Sequence, residues 1–167
     1  TLLKSEHFFD LNFRGSMIKN PIDFISSLVK TYEIKFPVAT DTATAGLLNQ
    51  LWYYFFGYAT MLDMSLGNPP SVAGYPAYYQ SPAFYRIWIS STTVQSRQQL
   101  SDGLISTNGV TIYGYKLIID PLAFVEKFDN PEDTDLLIDE ASIYLFPFSL
   151  TENQKNYLRQ ALLGTIP

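Results

Sequence analysis

The stretch "DTATAGLLNQLWYYFFGYATMLDMSL", residues 41 to 66, decides how the chain is read. Its apolar residues Leu48, Leu51, Trp52, Phe55, Ala59, Leu62 and Leu66 recur at helical spacing over about six turns. The segment is apolar round much of its circumference, so it is expected at the centre of a helical bundle, with Gly57 as a point of close packing.

Working outward, proline punctuation marks the neighbouring helices. Asn20-Pro21, Ser81-Pro82, Asp120-Pro121 and Asn130-Pro131 each set a proline behind a residue able to cap. A proline at the first helical position gives up no needed N–H, and the residue before it accepts from the exposed amides of the first turn. Each pair therefore predicts a helix start. After Pro21, Ile22, Ile25, Leu28, Val29 and Tyr32 form one stripe. After Pro82, Phe84, Ile87, Trp88 and Val94 continue the pattern, which fades into "SRQQLSDG". Pro131 to Phe146 and Thr151 to Leu163 read as a closing helical hairpin, with Thr151 and Gln154 in capping-box register and Gly164 as a stop.

"VTIYGYKLIID", residues 110 to 120, is β-branched and aromatic and reads as a short strand or an extended connection. The expected fold is thus a mainly α, irregular bundle of about six or seven helices with a long Pro/Tyr-rich loop and at most one short β element. A length of 167 residues fits one domain, residues 1–167. The opening "TLLKSEHFFD" reads like the middle of a helix, so the expectation is the C-terminal piece of a longer protein whose targeting signal lies upstream.

Between the second and third helical patterns lies "GNPPSVAGYPAYYQSP", residues 67 to 82. A flexible linker would be rich in Gly and Ser, whereas prolines restrict themselves and their predecessors. The stretch is expected to be an ordered loop laid across the bundle, with Val72, Tyr75, Tyr78 and Tyr79 available to pack and Gly67 and Gly74 taking any left-handed positions. Tyr75, Tyr78 and Tyr79 are also candidates for stacking on a sugar or peptide ligand. Buried aromatics need no ligand, and a structural loop plugging the core is the plainer reading.

The segments "LLKSEHFFD", "GSMIKNPIDFI" and "NPPSVAGYPAYYQSPAFYRIWISSTTVQSR" resemble the C-terminal part of the bacterial domain of unknown function 1800 family. The family pattern is a Pro-Pro-x-Val-x-Gly-Trp loop followed by a helix with Asn, Ser or Thr and a later Arg. It is met by Pro69, Pro70, Val72 and Gly74, then Ser91, Thr92 and Arg97, with Tyr75 where the family usually has Trp. The resemblance is closest up to about residue 100. It implies a large, mostly helical, exported bacterial protein, periplasmic, cell-surface or secreted, and it carries no agreed catalytic residues.

Composition bounds the function. The chain is 47% hydrophobic and 16% charged, a folding profile rather than a disordered one. Aromatic content is 16%, which favours a Tyr-rich exposed face or a partner that covers one. The net charge of −5 and a pI near 4.7, without any Lys/Arg cluster, argue against nucleic acid as a partner. With no cysteine, thiol chemistry, disulfides and Cys-ligated zinc are excluded. The longest apolar run, Leu51 to Ala59, is too short to span a bilayer.

No motif carries a reaction. The acidic run "DNPEDTDLLIDE", residues 129 to 140, lacks the Asp-x-Asp-x-Asp-Gly core of a calcium loop and reads as a helix start with acids in its first turn. His7 is the sole histidine, with Asp10 at helical spacing, and no Gly-x-Ser-x-Gly elbow is present to complete a triad. Arg97 is expected to pin the Pro/Tyr loop through backbone carbonyls, the functional alternative being an anionic ligand.

Three readings follow; no cofactor is expected, and a metal enters only in the third. The first is a non-catalytic helical module that packs against an upstream region of its own protein or against a protein partner. The second is a glycan-binding or glycan-hydrolysing protein using the tyrosine loop. The third and weakest is a metal-dependent enzyme using His7 and nearby carboxylates. The balance leans away from an enzyme.

Overall fold

The computed structural model describes residues 4–10, 12, 15, 17–75 and 84–164. It is mainly α, 56% helical with six helices and one two-stranded antiparallel sheet among the described residues. Two compact units emerge, one of Ile18–Asp120 and one combining Thr1–Met17 with Pro121–Pro167.

The first unit opens with α1, Pro21–Thr31, where the Asn20 side chain accepts from the amide of Asp23 at 2.9 Å and Pro21 holds the first helical position. Helix α2, Thr42–Met61, starts at a reciprocal capping box between Asp41 and Thr44. Leu51, Phe55 and Ala59 recur every four residues on one α2 face and are buried with Ile25, Ile34, Leu100, Leu104, Leu117 and Ile119. Leu47, Tyr54 and Tyr58 flank this strip half-buried, and the face that carries Trp52, Tyr53 and Phe56 is open, with Trp52 54% and Tyr53 65% exposed. The expectation of Gly57 as a point of close packing is therefore corrected. One strip of α2 is core, and Gly57 lies on an exposed face where an added Cβ would meet nothing within 4 Å.

The helix expected to run on from Pro82 is also corrected. Phe84–Trp88 forms a 3-10 turn, and α3, Ser91–Ile105, starts afresh at a second capping box between Ser90 and Thr93. The Ser/Thr run that lowers helix propensity is what builds this cap, since short hydroxyl side chains satisfy the first free amides. Thr93 is buried, and its hydroxyl also donates to the Trp88 carbonyl at 3.0 Å. "SRQQLSDG" is helical rather than fading, and it supplies Leu100 to the core.

Residues 110 to 117 make a hairpin. Strand β1, Val110–Ile112, pairs with β2, Tyr115–Leu117, in the register Val110↔Leu117, Thr111↔Lys116 and Ile112↔Tyr115. The two linking residues, Tyr113 (φ 48°) and Gly114 (φ 81°), are both left-handed, as a tight hairpin turn matched to strand twist requires. The segment's two halves thus pair with each other, which supplies the sheet that a single strand lacks.

In the other unit, α4 spans Pro121–Val125, α5 Thr134–Leu145 and α6 Glu152–Leu162. The expected α5 start is corrected by three residues: Asn130 and Pro131 lie in a turn closed by the Asp133 amide on the Asn130 carbonyl. Asp133 is the cap, accepting from the amides of Asp135 and Leu136. Helices α5 and α6 are joined by Lys155 to Asp139 at 2.7 Å and by Arg159 to Asp135, Nε to Oδ1 at 2.5 Å. Thr151 and Gln154 form the expected capping box, and Gly164 ends the helix at φ 66°. Phe124, Phe128 and Tyr144 cluster beside them, with Phe124 and Phe128 buried.

Candidate functional site

The described part of the loop after α2, up to Tyr75, is held by short-range bonds. Asn68 donates its amide to the Ser65 carbonyl, and Ser71 and Gly74 close a turn in which the Gly74 amide and the Ser71 hydroxyl are both bonded. Gly67 (φ 76°) and Gly74 (φ 93°) take the left-handed positions expected of them. Tyr75 anchors the end. Its hydroxyl donates to the Ser65 carbonyl at 2.9 Å, and its ring meets the buried Trp88 edge to face at 5.5 Å.

Pro69, Pro70 and Val72 are exposed, Val72 completely, so the expectation that Val72 packs on the bundle is corrected. Its turn projects into solvent, and a lone side chain there finds no apolar neighbour to cover it. Tyr78 and Tyr79 lie outside the described residues. Of the three candidate stacking tyrosines, Tyr75 is described, and its hydroxyl and one ring contact are spent inside the protein.

Arg97 sits on α3 and reaches the entry of α1. Its Nη2 donates to the Lys19 carbonyl at 2.9 Å, and its guanidinium carbon lies 4.7 Å from the centre of the Phe24 ring. The buried Nε has no hydrogen-bond partner among the described residues. Burial pulls the guanidinium below the usual arginine value, because the charged form loses hydration. The backbone it pins leads into α1, not the described part of the Pro/Tyr loop. Arg97 and Tyr75 therefore clasp different segments.

His7 is exposed in a 3-10 turn, Glu6–Phe9, and one Asp10 carboxylate oxygen accepts from Asn12. Among the described residues no group of three or more His, Asp or Glu side chains is placed to hold a metal ion. Four acids of the 129–140 run are engaged in capping and pairing: Asp133 at the cap, Asp135 with Arg159, Asp139 with Lys155, and Glu140 accepting from the Asp129 amide at 3.1 Å.

What sequence reasoning missed is a trough of about 470 Å³ between α1 and α2. Ile22, Val29, Trp52, Phe55, Phe56 and Leu66 supply its apolar walls, and Ser26 and Lys30 its polar members. The Trp52 indole is held flat against Phe36, with ring centres 5.3 Å apart and planes 9° off parallel. Its volume is in the range of small-molecule and side-chain pockets. The signal was present as the wide apolar arc of α2, which is broader than the face its neighbours cover.

Among the described residues no helix is long and apolar enough to cross a membrane. No curated protein and no solved structure matches the chain. A family model described as "Protein of unknown function (DUF1800)" matches residues 1–166, which extends the likeness from the Pro-Pro loop through the C-terminal helices. The chain belongs to that family.

Proposed function

We propose that this chain is a non-catalytic interaction module that uses the trough between α1 and α2 to receive an apolar surface of a protein partner. The observation that carries the reading is the set of large apolar side chains left open on α2: Trp52 and Phe56 line the trough, Tyr53 sets its ring against Phe56, and all three are exposed. Soluble surfaces seldom present contiguous apolar areas of this kind, and those that do mark interaction sites. Lys30 at the trough suits a partner that brings an acidic side chain alongside its apolar one. Export, which the family resemblance implies, belongs to the same proposal.

The test compares the chain with a Trp52→Glu, Phe56→Glu variant by light scattering and by binding of a dye that fluoresces on apolar surfaces. Both positions are exposed, so the melting temperature should change little. Association or dye binding by the parent that disappears in the variant supports the reading. A monodisperse parent that binds no dye overturns it.

A further inference from the structure

The connection from α3 to β1 reads Ser106-Thr107-Asn108-Gly109. An asparagine before a glycine is chemically labile, because no side chain hinders attack by the glycine nitrogen on the preceding carboxamide. The fold demands glycine here. Its φ is 60°, and an added Cβ would sit 2.5 Å from the Leu117 carbonyl oxygen and 3.1 Å from the Cβ of Ile118. Closing the hairpin on the end of α3 therefore keeps a glycine next to Asn108, whose side chain is exposed.

The same turn restrains the nucleophile. The Gly109 N–H donates both to the Ser106 carbonyl at 2.9 Å and to the Ser106 hydroxyl at 3.1 Å. The hydroxyl in turn donates to the Gly103 carbonyl at 2.9 Å, which ties it to the last turn of α3. Attack requires this nitrogen to lose its proton and swing toward the Asn108 carboxamide, and two acceptors hold the proton in another direction.

We propose that Asn108 is a latent deamidation site, kept closed by Ser106 and exposed to reaction when the turn between α3 and β1 loosens. The Gly109 nitrogen forms a bond to the Asn108 side-chain carbonyl carbon, the carboxamide C–N bond breaks, and ammonia leaves with the proton from that nitrogen. Water then opens the cyclic imide at either carbonyl, giving aspartate or isoaspartate. The balance is water consumed and ammonia released, with one more negative charge on a chain already at −5. The isoaspartyl product lengthens the backbone beside Gly109, whose place under the Leu117 carbonyl has no room to spare. The modified turn is expected not to reclose in its original form.

The experiment incubates the folded chain, the urea-unfolded chain, and folded Ser106→Ala and Ser106→Thr variants at mildly alkaline pH. Peptide mass spectrometry and an isoaspartate assay then follow position 108. Asn108 should react readily in urea and slowly in the folded parent. Ser106→Ala should react about fivefold faster than the parent, the change that loss of one hydrogen bond of ordinary net strength sustains. Ser106→Thr, which keeps the hydroxyl, should stay protected. Equal rates in the folded and unfolded parent overturn the proposal, as does a folded Ser106→Ala variant that reacts no faster than its parent. If Ser106→Ala does not fold, the folded-to-unfolded ratio of the parent and the protection of Ser106→Thr decide the matter.

Discussion

The guanidinium of Arg97 lies over the ring of Phe24, 4.7 Å from its centre, while its Nη2 donates to the carbonyl of Lys19. One side chain on α3 thereby fixes both the first turns of α1 and the strand of backbone leading into them. Replacing Arg97 with Ala should cost about 1 to 3 kcal/mol, the range for losing a charge-assisted bond and a cation–π contact together. Arg97→Lys should recover little of it, because an ammonium does not stack as a planar fork does. Urea denaturation of both variants is the check, and an unchanged midpoint in Arg97→Ala would remove the clasp from the account.

Leu51 is completely buried at the centre of the inward strip of α2. Leu51→Ala should destabilise by about 2 to 5 kcal/mol, through lost transfer energy and an unfilled cavity. Trp52→Ala, next in sequence but 54% exposed, should cost distinctly less. Parallel denaturation curves for the two variants test whether the exposed faces of α2 are as open as described.

Two glycines should respond oppositely to alanine. Gly57 lies in α2 with open space around it, so Gly57→Ala should gain about 0.5 to 1 kcal/mol by lowering the freedom of the unfolded chain and favouring helix. Gly109 has positive φ and a backbone oxygen where the methyl would go, so Gly109→Ala should lose about 1 to 3 kcal/mol. Thermal melts of both decide it, and a destabilised Gly57→Ala would mean that this face of α2 is covered.

Stability should depend on pH at both extremes. Backbone bonding from Thr44, then its side chain, holds Asp41 below the usual carboxylate value. That contribution is complete above the ordinary aspartate pKa of about 4 and is lost as pH falls through the lower folded value. Tyr54 is raised, first by burial and then by its neighbour Tyr58. Its folded state holds the proton more tightly, so its contribution is complete below about pH 10 and declines as pH rises toward the folded value. Acid and alkaline melts of the parent beside Asp41→Asn and Tyr54→Phe test the two limbs; each substitution should flatten its own limb alone.

Much of the fold was legible because its signals are local. Asn20, Asp41, Thr151 and Gly164 each act through backbone groups within about four residues, so a cap or a stop is written where it operates. The places where local reading went astray are also instructive. The pattern after Pro82 is broken at Ser90 to Thr93 by a capping box, because the same hydroxyls that disfavour a helix interior satisfy a helix start. Asn130-Pro131 resembled a cap and is a turn, because Asp133 offered its carboxylate to two amides farther on.

By itself the sequence determined a mainly α chain, most of its helix starts, the left-handed places of Gly67 and Gly74, and membership of a family through the Pro69-Pro70 to Gly74 pattern. Only the tertiary structure decided which strip of α2 is covered, that residues 110 to 117 pair with each other, and that Arg97 reaches a carbonyl 78 residues away. The reason is physical: helical periodicity states that a face is apolar, but burial depends on what packs against it. α2 is apolar on more sides than its described neighbours cover. The trough beside Trp52 is the part left over, and it became visible once the positions of α1 and α2 were known.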